Sequence, residues 1–226
     1  GAHNDWAQNT VFSKDGSHLI SVGRDMAAKL TEVATQRFID NITSITPGAL
    51  KGGLAAVARH PSRDEIVVGG SDGIPKLYRV FRETVRVIGD DANLIREFPS
   101  LPGRVYSVAV SNDGKRIAAG SSLDGVSGEV AVYSYEFDTA FPEKLKTIQQ
   151  KVVSSRSAEE NAQVEAYHKE GVKEISRFKV PQGGVYSISF SPDSKVLAAA
   201  GNDGIVRLVN PETGSLIKEF LPAPVK

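Results

Sequence analysis

Polar and apolar positions follow the same order at four places in the chain. Residues 9–25 read NTVFSKDGSHLISVGRD and residues 55–73 read AAVARHPSRDEIVVGGSDG. Residues 106–125 read YSVAVSNDGKRIAAGSSLDG and residues 186–204 read YSISFSPDSKVLAAAGNDG. Each segment opens with a short alternating run, turns through a tight polar tetrapeptide, continues as a run of small and β-branched residues, and ends at an Asp beside a turn. Alternation with β-branched enrichment predicts strands. The tetrapeptides are Ser13-Lys14-Asp15-Gly16, His60-Pro61-Ser62-Arg63, Ser111-Asn112-Asp113-Gly114 and Ser191-Pro192-Asp193-Ser194. Pro presets φ near −65°, Asp and Asn cap their own backbone, and Gly accepts positive φ, so these are turns with a mechanism. A third strand is predicted at 28–30, 75–78, 129–133 and 205–209, and a fourth at 37–42, 94–98, 174–180 and 216–220. Four strands per unit, repeated, predict propeller blades spanning about 3–46, 47–101, 102–180 and 181–226.

The third interval between turns is clearly longer than the first two. Its extra length contains residues 154–171, SSRSAEENAQVEAYHKEG. Ser157 and Glu160 have capping-box spacing, Gly171 is placed as a C-cap, and Ala158, Ala162 and Ala166 form a small-residue stripe at i, i+4. The pattern predicts a helix between the third and fourth strands of blade three, lying outside the blade core. It reads as a solvated spacer or a partner-binding helix, removable without loss of the propeller.

Composition narrows the chemistry. Lys plus Arg number 27 and Asp plus Glu number 27, so the chain has no generic electrostatic drive toward nucleic acid or an anionic membrane. No apolar run reaches the roughly 18 residues of a membrane helix. Residues 1–12 lack the basic start and apolar stretch of a signal peptide, and Gly1-Ala2 reads as a cloning scar on an excised segment. There are no cysteines, which leaves the compartment open between cytoplasm and periplasm and excludes disulfides, thiolate metal sites and a cysteine nucleophile on this chain. The four histidines, His3, His18, His60 and His168, show no metal-ligand spacing, so neither metal nor cofactor is expected.

The phrases VFSKDGSHLISVGRD and SISFSPDSKVLAAAGNDGIVRLVNPETG resemble the repeats of the WD-repeat β-propeller family. The opening HNDW and the closing NPETG resemble degenerate bacterial WD repeats of large multidomain proteins. The resemblance implies an all-β fold of four four-stranded antiparallel blades, half or a fragment of a ring, with one helical insertion. The family's Trp position holds Thr31, Tyr78, Tyr133 and Val209 here, and the Asp after it is Glu32, Arg79, Ser134 and Asn210. Of the family's blade-spanning hydrogen-bond network, blade one offers His3, Ser21 and Asp25. The other blades have Val68, Ala119 and Ala199 in place of Ser. Asp25, Asp72, Asp124 and Asp203 are expected to hold their turns rather than to catalyse.

The resemblance implies a non-enzymatic protein-interaction scaffold. Its loop face would present Trp6, Arg24, Ser71, Arg104, Tyr106, Tyr186 and Asn202, and Trp, Tyr and Arg are the types that dominate interfaces. Trp6 could equally pack on a neighbouring blade, and Tyr106 and Tyr186 occupy equivalent positions, which suits a structural role as well. One alternative is a sensory or redox-associated domain of an exported multidomain protein. Another is a propeller hydrolase, disfavoured because the inner-strand segments 9–12, 55–58, 107–110 and 187–190 carry no carboxylate or His and no G-x-S-x-G elbow occurs. Four blades fall short of a ring, so a two-fold homodimer closing eight blades is expected, blade one of each copy docking on blade four of the other.

Overall fold

The computed structural model describes residues 2–44 and 52–222. The boundary expected at 46/47, Gly1 and the last four residues lie outside the described residues.

Among the described residues sixteen strands form four antiparallel sheets, each in simple sequential order. Blade one holds β1 (Ala7–Phe12), β2 (His18–Gly23), β3 (Ala28–Glu32) and β4 (Phe38–Asn41). Blade two holds β5 (Leu54–Arg59), β6 (Glu65–Gly70), β7 (Lys76–Arg79) and β8 (Leu94–Glu97). Blade three holds β9 (Arg104–Val110), β10 (Arg116–Ser122), β11 (Gly128–Ser134) and β12 (Glu174–Val180). Blade four holds β13 (Val185–Phe190), β14 (Leu197–Gly201), β15 (Val206–Val209) and β16 (Leu216–Phe220).

The four tetrapeptides make the β1–β2 type of turn by two chemistries. In three blades a Ser hydroxyl donates to the Asp two residues on, Ser13 to Asp15, Ser111 to Asp113 and Ser191 to Asp193, at 2.5 to 2.7 Å. In blade two His60 replaces the Ser. Its Nδ1 accepts from the backbone N–H groups of Ser62 and Arg63, at 3.1 and 3.0 Å. That leaves the proton on Nε2, which donates to Gly114 O in the next blade's turn at 3.2 Å. Burial holds the His60 pKa below the ordinary imidazole value, consistent with a neutral ring used as a capping group.

Alternation along each strand gives two faces, and each inner face packs on the next blade. Blades one and two meet through Ile20, Val22, Leu30 and Ile42 against Val57, Ile66, Val68 and Tyr78. Blades two and three meet through Val67, Leu77 and Ile95 against Val108, Ile117, Ala119 and Tyr133. Blades three and four meet through Ala118, Val130 and Val132 against Ile188, Leu197 and Ala199. Close approach near the axis depends on glycine. A Cβ on Gly69 would stand 2.3 Å from Val105 Cγ1, and one on the equivalent Gly120 would stand 2.6 Å from Val185 Cγ1. The first strands β1, β5, β9 and β13 follow one another around the axis, while the first and last sheets do not pack together, so the described residues form an open arc.

At the junction of blades one and two, Asp91 is half-buried. It accepts from Ser44 N at 2.9 Å and from the Tyr78 hydroxyl at 3.0 Å. Burial outweighs these bonds and pushes its pKa up to about 7.

The insertion differs from its expected place. It holds α1 (Glu143–Gln149), which the sequence pattern did not predict, a single 3-10 turn at Val153–Ser155, and α2 (Ala158–Lys169). The Ser157–Glu160 capping box is formed on both sides, and Gly171 has φ 69°, one residue beyond the C-cap Glu170. The insertion does not lie outside the core. Phe141, Leu145, Ile148, Val164 and Tyr167 are buried in one cluster with Ile95, Phe98 and Tyr135 of blades two and three. Two buried arginines of blade two are the reason. Arg96, 2% exposed, donates to the carbonyls of Glu170 at 2.6 Å and Asp138 at 2.9 Å, and its guanidinium lies 4.4 Å from the Tyr167 ring. Arg79 donates to the Tyr167 hydroxyl at 2.9 Å and to Thr139 O. The Ala158, Ala162 and Ala166 stripe faces solvent, opposite this contact.

Candidate functional site

The loops that precede the first strands, together with the β2–β3 type of turn, converge on one face of the arc. A backbone pattern holds them there. Arg24 N donates to Trp6 O at 3.0 Å in blade one, and Ser71 N donates to Gly53 O at 3.0 Å in blade two. Between blades three and four, Gly183 N donates to Val126 O at 2.8 Å.

The turn aspartates support this face in three blades. Asp25 accepts from Asn4 N at 2.8 Å and Ala27 N at 3.4 Å, Asp72 from Ile74 N at 3.0 Å, and Asp203 from Ile205 N at 3.1 Å. Each also faces a cation four residues on: Lys29 at 3.7 Å, Lys76 in close contact, and Arg207 at 2.6 Å. Blade three departs from this. Its hairpin runs one pairing further, through Leu123 with Ser127, and Asp124 sits at φ 53° before Gly125 at φ 74°. Two successive left-handed residues make a type I′ turn, so Asp124 contributes its backbone conformation rather than a capping carboxylate.

In blade one His3 Nδ1–H donates to Asp25 Oδ1 at 2.8 Å, and the Ser21 hydroxyl donates to His3 Nε2 at 2.8 Å. Burial raises the Asp25 pKa, but the His3 and Asn4 hydrogen bonds outweigh it and hold the carboxyl below its ordinary value. The order Ser–His–Asp is that of a proton relay. Ser21 lies mid-strand with Thr10 and Lys29 paired on either side, so its surroundings are those of a sheet and not of an oxyanion hole. Thr31, at the family's Trp position, does not complete the network; Lys29 approaches Asp25 instead. Among the described residues no three His, Asp or Glu side chains are grouped to hold a metal, and no helix is long and apolar enough to cross a membrane.

The seven loop-face residues fall in a row across all four blades. Trp6 is 69% exposed, with the Arg24 guanidinium 5.2 Å from its ring centroid and Asp5 3.6 Å from Arg24 Nε. It stands on the surface and not against a neighbouring blade. Arg24, Ser71, Arg104 and Tyr106 line one cavity of about 290 Å³ with Asp5, Gln8 and the backbone of Gly53 and Gly70. The Tyr106 and Tyr186 rings meet at 4.8 Å, inclined at 57°. Tyr186 Oη lies 3.3 Å from Ser122 Oγ. Asn202 is used internally: its Oδ1 accepts from Gly184 N at 2.6 Å and its Nδ2 donates to Gly125 O at 2.9 Å, tying blade four to the tip of blade three. Leu123 and Val126 at that tip, 46% and 71% exposed, continue the row and were not singled out from the sequence. Their signal was the longer GSSLDG of blade three beside GGSDG and AGNDG in its neighbours.

The family model for the WD domain, G-beta repeat, matches residues 93–126 and 172–210. Each match begins at a blade's outermost strand, β8 or β12, and runs into the next blade, so it ties two adjacent sheets together. No curated protein matches the chain. WD repeats are as a rule interaction modules and not enzymes. Two repeats of the chain match the WD-repeat model, and the four sheets of corresponding form are consistent with a fragment of a propeller of that kind.

Proposed function

We propose that the chain is a non-enzymatic scaffold that holds a protein partner on its loop face. The observation that supports this best is the continuous row from Trp6 through Arg24, Ser71, Arg104 and Tyr106 to Tyr186 and the exposed tip of blade three. Rigid aromatic and Arg side chains on a framework of paired loops give contact area at low entropic cost. Balanced overall charge suits a protein partner rather than nucleic acid or a membrane surface. Random-peptide display against the full chain tests the reading. Enriched peptides should lose binding when Tyr106→Ala and Trp6→Ala are combined and keep it when Lys115→Glu is placed on the opposite face. Peptides insensitive to both changes would remove the loop face from the function.

The arc is proposed to be part of a larger ring. Ala198, Val206, Leu208 and Phe220 occupy in blade four the register positions of Ala118, Val130, Val132 and Phe178, which blade four covers in blade three. The outer face of blade one is more mixed: Phe12, Leu19 and Phe38 are accompanied by Thr10, Ser21 and Thr31. Docking of blade one on blade four of a second copy, repeated by a two-fold axis, would cover both faces and close eight blades. Light scattering over a range of concentrations should give twice the chain mass. The mass of one chain throughout would refute closure by self-association.

A further inference from the structure

The cavity at the junction of blades one, two and three has a chemical character that the row as a whole does not. Two guanidinium groups line it, Arg24 and Arg104, against a single carboxylate, Asp5. In a chain with equal numbers of acids and bases that is a local excess of positive charge. Arg24 is already oriented: the Trp6 ring lies 5.2 Å from its guanidinium and Asp5 lies 3.6 Å from its Nε. Arg104 makes no ion pair and no hydrogen bond among the described residues, and neither do the side-chain hydroxyls of Ser71 and Tyr106 beside it. Arg104 and Ser71 are exposed and Tyr106 is half-buried, so these donors are open to an acceptor brought from outside the chain. The floor is backbone. A Cβ on Gly53 would stand 2.7 Å from Arg24 Cα, and one on Gly70 would stand 2.2 Å from Gly53 O, so the closeness of the strands keeps these positions free of side chains.

We infer that this cavity binds an anionic oxygen group, a carboxylate or a phosphate, presented by an acidic segment of a protein partner. A guanidinium fork meets such oxygens in bidentate geometry, and hydroxyl donors complete the shell. A volume of about 290 Å³ accepts an acidic side chain with its stem. The paired Tyr106 and Tyr186 rings and the exposed Leu123 continue from its edge and offer an apolar shelf for a residue following the acid. The inference rests on the loop-face scaffold reading and specifies what that face recognises.

Trp6 is the only tryptophan, and it stacks on Arg24, so the intact chain carries its own reporter at the site. Capped hexapeptides with one central Glu followed by Leu, and versions with phosphoserine, Gln or Lys in place of Glu, are titrated while Trp6 emission is read. The Glu or the phosphoserine peptide should shift the emission saturably, with whichever binds tighter identifying the oxygen source. The Gln peptide should bind about tenfold more weakly or worse, and the Lys peptide not at all. Arg104→Glu should weaken the acidic peptides by at least about tenfold, and Arg104→Lys by less. Ser71→Asp, which places a carboxylate at the wall, provides a second variant should Arg104→Glu alter the urea midpoint. Equal binding of the Gln and Glu peptides, or no effect of both charge variants, overturns the anion site. Display-selected peptides that bind through Tyr106 regardless of charge would keep the scaffold reading while removing this one; loss of all loop-face-dependent peptide binding removes both.

Discussion

Replacing Tyr167 with Ala separates a docked insertion from a solvated one. Tyr167 is 4% exposed and stands on α2, where the sequence pattern predicted a spacer. Its ring covers the Arg96 guanidinium at 4.4 Å and lies 5.8 Å from the Phe141 ring. Its hydroxyl accepts from Arg79 at 2.9 Å and donates to Ala140 O at 3.3 Å. Truncating a buried aromatic costs about 3–5 kcal/mol, part of it from the cavity left behind. Removing the acceptor of a buried guanidinium adds about 1.5–3 kcal/mol. Even the lower values place the loss near 4–5 kcal/mol, a large share of the stability usual for a domain. Urea unfolding followed by far-UV circular dichroism should show one transition moved to much lower denaturant. Tyr167→Phe, which keeps the ring, should lose about 1–2 kcal/mol, and Ala162→Ser on the exposed stripe should change little. A Tyr167→Ala midpoint within about 1 kcal/mol of the parent would refute the reasoning. So would a small early loss of helix signal with the main transition unmoved, which is how a spacer behaves. By the same packing, excision of residues 140–171 should unfold blades two and three rather than leave them standing.

Three further outcomes are expected. Folded Asp91 holds its proton to about 7 while the unfolded carboxyl ionises near 3.8, so the folded state binds more protons between these values and stability falls as pH rises from about 4 to 7. Asp91→Asn should remove that slope and be the more stable protein at pH 8, since the Tyr78 hydroxyl can turn to accept from the amide; an unchanged slope in thermal melts would refute the assignment. His168 acts with the opposite sign. Burial and then Arg96 lower its pKa from 6.5 to about 4, so the unfolded state binds more protons in that window and stability is lost as pH falls through it. His168→Gln should flatten the acid side of the melting profile, and retention of the full acid slope would count against it. Asp203→Ala removes the acceptor of Ile205 N and the partner of Arg207, which is 9% exposed, and should cost about 1–3 kcal/mol; an unmoved melting temperature would show that the turn does not need it.

What the sequence announced and what it hid divide along physical lines. The turns were legible because their chemistry is local: Ser111, Asp113 and Gly114 satisfy one another within a few residues, and the same holds for the capping box at Ser157 and Glu160. The strands were legible because alternation is local as well, and the fourth strands fall at 38–41, 94–97, 174–180 and 216–220. The longer top hairpin of blade three was written in GSSLDG, yet its consequence depended on the neighbour, since Asn202 and Gly183 of blade four hold that tip.

The tertiary structure decided the rest, because it turned on contacts between segments far apart in the chain. The insertion looked solvated from its polar composition and its alanine stripe. Its burial comes from Arg79 and Arg96, whose charge on buried strands made sense only once backbone carbonyls and aromatic rings of the insertion closed over them. The repeat pattern put Arg24 and Arg104 on one loop face, but that they line a single cavity across two blades was decided by packing. The sequence by itself determined the blades, since hydrogen bonding in turns and the two-residue period of strands act at short range. Only packing decided where the insertion lies and which charges meet, since burial and electrostatics act through space and are blind to chain order.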